Sequence, residues 1–123
     1  MRLNVLMIEV EQPEGLSTRK LVLETARHNV ITAYTSAGGQ KLLKRFPNVD
    51  AVVVHTELDN SSLKETVRGL KSIRKDLPVI AISPRDDREK DGADYLISSH
   101  DPQALLALLA EEFEAATSEE GEE

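Results

Sequence analysis

The stretch that decides the fold is DAVVVHTELD, residues 50–59. Its apolar run from Ala51 to Val54 is rich in valine and has no polar residue at alternate positions. This pattern predicts a strand that is buried on both faces of a parallel sheet. His55 follows directly where the apolar run ends. Because open α/β sheets bind ligands at the carboxyl ends of their strands, His55 stands where such a fold would carry chemistry.

Strands and helices are predicted to alternate along the rest of the chain, as in a parallel sheet with helices on both faces. Short apolar runs bounded by turn residues predict the strands, and helical spacing predicts the helices. The segment from Arg85 to Gly92 has no apolar residue, so it predicts a loop rather than a helix. The predicted strands are 3–8, 29–34, 51–54, 78–82 and 93–97, and the predicted helices are 14–27, 37–46, 62–76 and 102–116.

Three polar residues are predicted to begin helices as N-caps. Ser36 precedes the second helix, and Ser62 has Glu65 at capping-box spacing before the third. Asp101 is followed by Pro102, which suits the first position of the last helix. The residues after it, 117–123, are acidic and without apolar side chains, which predicts a disordered tail behind one domain at 1–116.

The composition excludes several classes of function. The chain of 123 residues has no cysteine, which rules out disulfides, thiolate metal sites and a cysteine nucleophile. Its formal net charge of -7 is of the wrong sign for a protein that binds the nucleic-acid backbone, and aromatic residues make up only 3%. No stretch is long and apolar enough to span a membrane, so we expect a cytoplasmic protein with no nucleic-acid or membrane partner.

Five segments follow one another in an informative order and spacing: 5–11 (VLMIEVE), 50–55 (DAVVVH), 78–83 (PVIAIS), 92–96 (GADYL) and 101–106 (DPQALL). They resemble the CheY-like receiver domains of response regulators in two-component signalling. The resemblance covers nearly the whole chain except the acidic tail. It implies a flavodoxin-like, doubly wound sheet of five parallel strands in the order 2-1-3-4-5. Here the helix between the fourth and fifth strands is expected to be shortened or missing.

The chemistry of the family does not carry over to the matching residues. Receivers use an aspartate nucleophile, an acidic pair that holds Mg²⁺, a hydroxyl and a lysine. In this chain histidine stands at the nucleophile position, serine replaces the lysine, and valine replaces one acid of the pair. The resemblance therefore implies a degenerate receiver pocket formed by Glu9, Val10, Glu11, His55, Ser83 and Ser98.

His55 allows four interpretations. It is expected to fill the space of the lost phosphate site and to hydrogen-bond to Glu9 or Ser83. A metal site formed by Glu9, Glu11 and His55 is a weaker candidate. A phosphohistidine and a pH sensor are the two weakest. The first interpretation needs no metal or cofactor, and we predict none.

The last helix is apolar around its whole circumference, which is more than one packing face requires. An apolar stripe that stays exposed on a soluble domain usually marks a surface for a partner. We therefore predict a protein partner or a homodimer that contacts the helix through Leu105, Leu106, Leu108, Leu109 and Ala110.

Three functions follow from these observations. The first, which we favour, is a pseudo-receiver that is not an enzyme and signals through protein contacts without phosphorylation. The second is a domain that senses a ligand, a metal or pH through Glu9, Glu11, His55 and Ser83. The third is a working phosphorelay receiver that uses an acid beyond the strand end, such as Glu57 or Asp59.

Overall fold

A five-stranded parallel sheet forms the centre of the protein. The structure is a computed structural model, and it describes residues 2–10, 18–58, 62–85 and 89–114. The strands lie in the order β2-β1-β3-β4-β5, which confirms the predicted order and the flavodoxin-like fold. Their bounds are β1 Asn4–Ile8, β2 Asn29–Ala33, β3 Ala51–His55, β4 Val79–Ser83 and β5 Tyr95–Ser98.

Burial along the strands follows their places in the sheet. The first four residues of β3 are buried, as predicted from their unbroken apolar run, and all residues of β4 are buried too. In contrast, the first three residues of β5 are half-buried and its last residue is exposed. The middle residues of β2 are likewise half-buried. The two edge strands therefore keep part of their apolar surface in contact with solvent.

Among the described residues, four α-helices flank the sheet: α1 Thr18–Thr25, α2 Ser36–Arg45, α3 Leu63–Ile73 and α4 Pro102–Leu109, the last continued by a π-helical segment at Ala110–Glu114. Ser62 and Asp101 cap α3 and α4 as predicted, because each side chain accepts from a backbone N–H of the first turn. The prediction that Ser36 caps α2 is wrong. Thr35 accepts from Gly38 N instead, and Ser36 is the first helical residue.

Each face of the sheet carries its own core. Leu43 of α2 and Leu63 and Leu70 of α3 cover one face. On the opposite face, Leu23 of α1 packs with Leu105 and Leu109 of α4. This is the two-sided packing that a doubly wound fold requires.

Side chains join neighbouring strands at the edge of the sheet where the strands begin, which we call the amino edge. The Leu3 amide donates to Nδ1 of His28 over 3.1 Å, and the Asn4 amide donates to Asp50 over 2.7 Å. The Val79 amide donates to Asp94 over 2.8 Å. His28 is only 5% exposed, and its burial lowers the pKa of the imidazole below its ordinary value. These three contacts tie loop residues to the starts of β1 and β4.

The connection from β4 to β5 contains no helix in its described residues, 84–85 and 89–94. It ends in a turn where Gly92 has a φ of +97°, a left-handed value that glycine adopts at little cost. The observed turn agrees with the loop predicted from the polar segment. Across the described ranges, none of the helices is long and apolar enough to cross a bilayer.

Candidate functional site at the carboxyl edge of the sheet

The edge where the strands end, the carboxyl edge, gathers the predicted pocket residues. Parallel pairing places Ile8 beside Val54, His55 beside Ile82, and Ser83 beside Ser98. Since Glu9 follows Ile8 directly, the ends of four strands bring Glu9, His55, Ser83 and Ser98 to the same edge. These four residues therefore lie at one edge, and their role as a receiver-like pocket stays a prediction.

His55 is the last residue of β3 and is half-buried. The backbone N–H of Glu57 donates to its Nδ1 over 3.0 Å. A nitrogen that accepts a hydrogen bond carries no proton, so the neutral imidazole in this arrangement has its proton on Nε2. The side chain is thereby fixed against the turn that follows β3. The predicted hydrogen bond from His55 to Glu9 or Ser83 stays a prediction.

Two serines at the same edge repeat this local arrangement. Ser83, which is 3% exposed, accepts from the Arg85 amide over 3.0 Å through its hydroxyl oxygen. Ser98 is exposed, and its hydroxyl accepts from the His100 amide over 3.0 Å. In all three cases the acceptor is the last residue of a strand and the donor lies two residues further on. Polar side chains at the strand ends thus close turns with their own backbone.

The remaining pocket positions differ in burial. Glu9 is 1% exposed, and its backbone N–H donates to the Ala33 carbonyl over 3.0 Å. Val10 is half-buried and supplies no ligand atom from its side chain.

Glu11 and Asp59 lie outside the described residues, so the predicted metal site and the phosphorylated acid beyond the strand end stay predictions. Within the described ranges, no group of three His, Asp or Glu side chains is placed to hold a metal ion.

The predicted interface on α4 and the first residue of the π-helical segment divides into two parts. Leu105 and Leu109 are 1% and 0% exposed, because they form part of the core beneath the helix. Leu106, Leu108 and Ala110 are half-buried. Only this second group leaves apolar surface for a partner.

Sequence reasoning missed an apolar surface along β5. Tyr95, Leu96, Ile97 and Leu108 line a groove of about 630 Å³ together with Glu89, Lys90 and Asp94. The Tyr95 hydroxyl donates to the carboxylate of Glu112, which raises the pKa of Tyr95. The signal in the sequence was the absence of any charged residue or proline from the four residues of β5.

Comparison with solved structures finds the same fold in receiver domains. The chain superposes on a CheY-like response regulator receiver domain from Methanospirillum hungatei JF-1 with a TM-score of 0.77 at 18% identity, covering 97% of this chain and 99% of that one. The receiver domain of sensor histidine kinase PA1611 from Pseudomonas aeruginosa PAO1, which has a magnesium ion in its active-site cleft, gives 0.78 at 13% identity, covering 90% and 97%. A receiver domain from Clostridium thermocellum gives 0.68 at 20% identity, covering 87% and 98%.

At identities of 13–20%, these superpositions show a shared fold alone, and the fold by itself does not assign an activity. No protein-family model matches the chain. No curated protein matches it either.

Proposed function

We propose that this chain is a receiver-like signalling domain that acts through protein contacts, without phosphorylation of its carboxyl edge and without catalysis of its own. The observation that carries the proposal is the hydrogen bond that the His55 side chain accepts. It stands at the end of β3, where a receiver places its phosphoacceptor, and its Nδ1 accepts from Glu57 N over 3.0 Å.

Phosphoryl transfer to this nitrogen requires the loss of that hydrogen bond. An attacking nitrogen must offer its lone pair to phosphorus, and the lone pair of Nδ1 is directed at the Glu57 amide. The alternative nitrogen, Nε2, carries the proton in the neutral ring. The arrangement therefore disfavours both Nδ1 and Nε2 of His55 as nucleophiles.

The groups that would stabilise a transferred phosphoryl group are also missing from their matching positions. Ser98 replaces the lysine, and its hydroxyl accepts from His100 N. Val10 replaces one carboxylate of the acidic pair. Phosphoryl transfer depends on cations that neutralise charge on the phosphoryl oxygens. A site without the lysine and with one metal-binding acid fewer provides little of that stabilisation.

Apolar surface that stays exposed commonly marks a contact with a protein partner. The half-buried residues Leu106, Leu108 and Ala110 leave some apolar surface on the last helix, which supports the proposal. In this proposal a partner recognises the domain in a single state, because the phosphorylation that switches a receiver between two states does not occur.

The test is intact-mass spectrometry after incubation with a small phosphodonor and Mg²⁺. We expect no stoichiometric gain of a phosphoryl group by the native chain. The matched control is the triple variant Val10→Asp, His55→Asp, Ser98→Lys, which restores the three missing groups and is expected to gain one acyl phosphate. Both chains are first compared by circular dichroism, so that a failure to fold is not read as a failure to react.

Stoichiometric phosphorylation of the native chain would contradict the proposal. Fragmentation of the modified protein would then separate His55 from the two acids that follow it, Glu57 and Asp59, and so identify a working receiver of unusual register.

A further inference from the structure

Positive charge is concentrated on one side of the molecule. The segments 36–48 and 62–76, which hold α2, α3 and the residues after each, carry eight of the chain's 15 lysine and arginine residues but only two of its 22 acidic residues. These two helices cover one face of the sheet. On the other face, the last helix and its π-helical end, 102–114, carry three glutamates and no lysine or arginine. In a chain of net charge -7, the side of α2 and α3 is therefore locally basic.

Six of these eight cations are exposed, and none of the six has a carboxylate within ion-pair distance among the described residues. The other two, Lys71 and Arg74, lie 2.9 Å from Asp94 and 3.7 Å from Asp76. We call the six exposed cations the basic face: Lys41, Lys44, Arg45, Lys64, Arg68 and Lys75. No described carboxylate neutralises their charge at close range.

The two helices bring these cations onto one surface. α2 and α3 pack side by side, and the Gln40 amide lies so close to Gly69 that a Cβ there would come within 2.5 Å of its Nε2. Lys41 follows Gln40 in the chain, Arg68 precedes Gly69, and both cations are exposed. The contact between the helices therefore places Lys41 and Arg68 on one continuous outer surface.

The electrostatics of the helices account for only part of this arrangement. Lys44 and Arg45 lie in the last turn of α2, where the helix dipole favours cations. Lys41 lies four residues before Arg45, and Lys64 lies four before Arg68, a spacing at which like charges repel each other. Lys64 also lies in the first turn of α3, where the dipole disfavours a cation. The placement of Lys41, Lys64 and Arg68 thus costs stability, as is common for residues that serve binding.

We propose that the basic face binds an acidic segment of a protein partner, one that carries several consecutive aspartates or glutamates. The inference names the chemistry of the partner that the proposed function leaves open, and it rests on that function only in so far as both require protein contacts. Carboxylates complement the face because arginine binds them with two parallel hydrogen bonds and lysine with a charged one. α3 has 11 residues and is about 16 Å long, so an extended segment of about six residues spans the face.

Two other anionic partners fit the surface less well. A nucleic acid continues beyond the face, so its phosphates would also meet the rest of the chain, which carries 20 of the 22 acidic residues. A helix that lies on a membrane inserts apolar side chains beside its cations. Among the described residues of the two segments, Phe46 alone is a large apolar side chain that is exposed. A short acidic segment needs no apolar side chains and can lie on the face alone.

Fluorescence anisotropy of the full chain without phosphodonor tests the proposal, with a labelled peptide of about six glutamates as the probe. We expect saturable binding at about 50 mM salt that weakens as the salt concentration rises, because exposed charges are screened. The double variant Lys41→Gln, Arg68→Gln is expected to bind at least about fivefold more weakly. The matched control is Arg2→Gln, Arg27→Gln, which removes the same charge from two exposed arginines at the amino edge. It is expected to retain most of the affinity.

A second readout separates binding from a structural role. If Lys41 and Arg68 served the fold, their replacement would lower the free energy of unfolding. Since the replacement relieves repulsion between like charges, urea denaturation should show a variant at least as stable as the native chain. A variant less stable than the native chain would contradict the inference. NMR spectra should also show that the peptide shifts amide signals of α2 and α3 and leaves those of α1 and α4 in place.

Three binding results would overturn the inference: no saturable binding of the peptide, an equal loss of affinity in the two double variants, or stronger binding to another anion. The last is measured with a short DNA duplex and with phosphatidylserine vesicles at the same concentration of negative charge, and it would make the partner a nucleic acid or a membrane. None of these results bears on phosphorylation, so the inference and the proposed function can fail separately.

Discussion

The two edges of the sheet use the same kind of hydrogen bond for different purposes. At the amino edge, side chains of His28, Asp50 and Asp94 accept from backbone amides of Leu3, Asn4 and Val79, which lie 15 to 46 residues away in the chain. At the carboxyl edge, His55, Ser83 and Ser98 accept from amides only two residues further on. Both sets satisfy backbone donors, but only the first connects separate parts of the chain.

From this difference we expect the hydrogen bonds of the amino edge to contribute more to the stability of the fold than those of the carboxyl edge. A bond between distant segments is lost on unfolding together with the strand contacts around it, whereas a bond within a turn can form again locally. A substitution that removes only one of the local bonds should therefore cost less stability than one that removes an amino-edge bond. The proposed function requires such tolerance, because it lets residues at this edge change without loss of the fold.

Asp94→Ala is expected to have the largest effect on stability. It removes the acceptor of the Val79 amide and the partner of Lys71, whose Nζ lies 2.9 Å from the carboxylate. Val79 is fully buried, so its N–H would lack a partner, at a cost of about 1–3 kcal/mol. Urea denaturation measures the change. Lys71→Ala is the control, because the partly exposed ion pair alone contributes about 1 kcal/mol at most. Equal losses in the two variants would contradict this assignment.

Acid should weaken the amino edge through His28. Burial lowers the pKa of this histidine in the folded state, so below the unfolded value of about 6.5 the unfolded chain binds more protons. Stability is therefore complete above that pH and falls as the pH drops from about 6.5 through the lowered folded pKa, with a slope of at most about 1.4 kcal/mol per pH unit.

Denaturation curves between about pH 5 and pH 8 measure this slope. His28→Asn retains an acceptor for the Leu3 amide and removes the titrating group, so its stability should depend less on pH in this range. The control is His100→Asn, at a histidine that is exposed. If His28→Asn keeps the pH dependence of the native chain, as the control does, then His28 is not the group that causes the loss of stability in acid.

Ser98→Ala is expected to have the smallest effect, at most about 0.5 kcal/mol. The hydroxyl of Ser98 accepts from His100 N, and both residues are exposed, so water replaces the lost acceptor. Thermal melts of this variant beside Asp94→Ala compare the two edges directly. A loss from Ser98→Ala as large as that from Asp94→Ala would remove the distinction between them.

The strands could be predicted because their pattern is local. Burial on both faces requires an unbroken apolar run, and Ala51 to Val54 and Val79 to Ile82 meet that requirement within a few residues. The caps at Ser62 and Asp101 were equally local, since the acceptor and the donor lie three residues apart. The same locality explains the error at Ser36. Thr35 and Ser36 are adjacent residues of similar cap propensity, and the observed acceptor is Thr35.

The candidate site was predictable only in part. Its residues were assigned to one edge because parallel strands end together, but the turns that engage the side chains of His55 and Ser83 could not be predicted. A histidine or serine at a strand end has several acceptors and donors within reach, and the path of the following residues selects among them. The amino-edge contacts of Asp50 and Asp94 were missed for a related reason, since their partners are distant in the chain.

The sequence by itself determined the layered α/β fold, the positions of most elements and the identity of residue 55 as histidine at the end of β3, because apolar runs, helix caps and side-chain identity act over short distances. Only the tertiary structure decided which apolar residues of the last helix stay partly exposed and that β5 is half-buried among the described residues. Helical periodicity gives the faces of α4 but not the depth at which the helix packs, so Leu105 and Leu106 differ in burial although they are neighbours. The cover of an edge strand depends on what the rest of the chain places beside it.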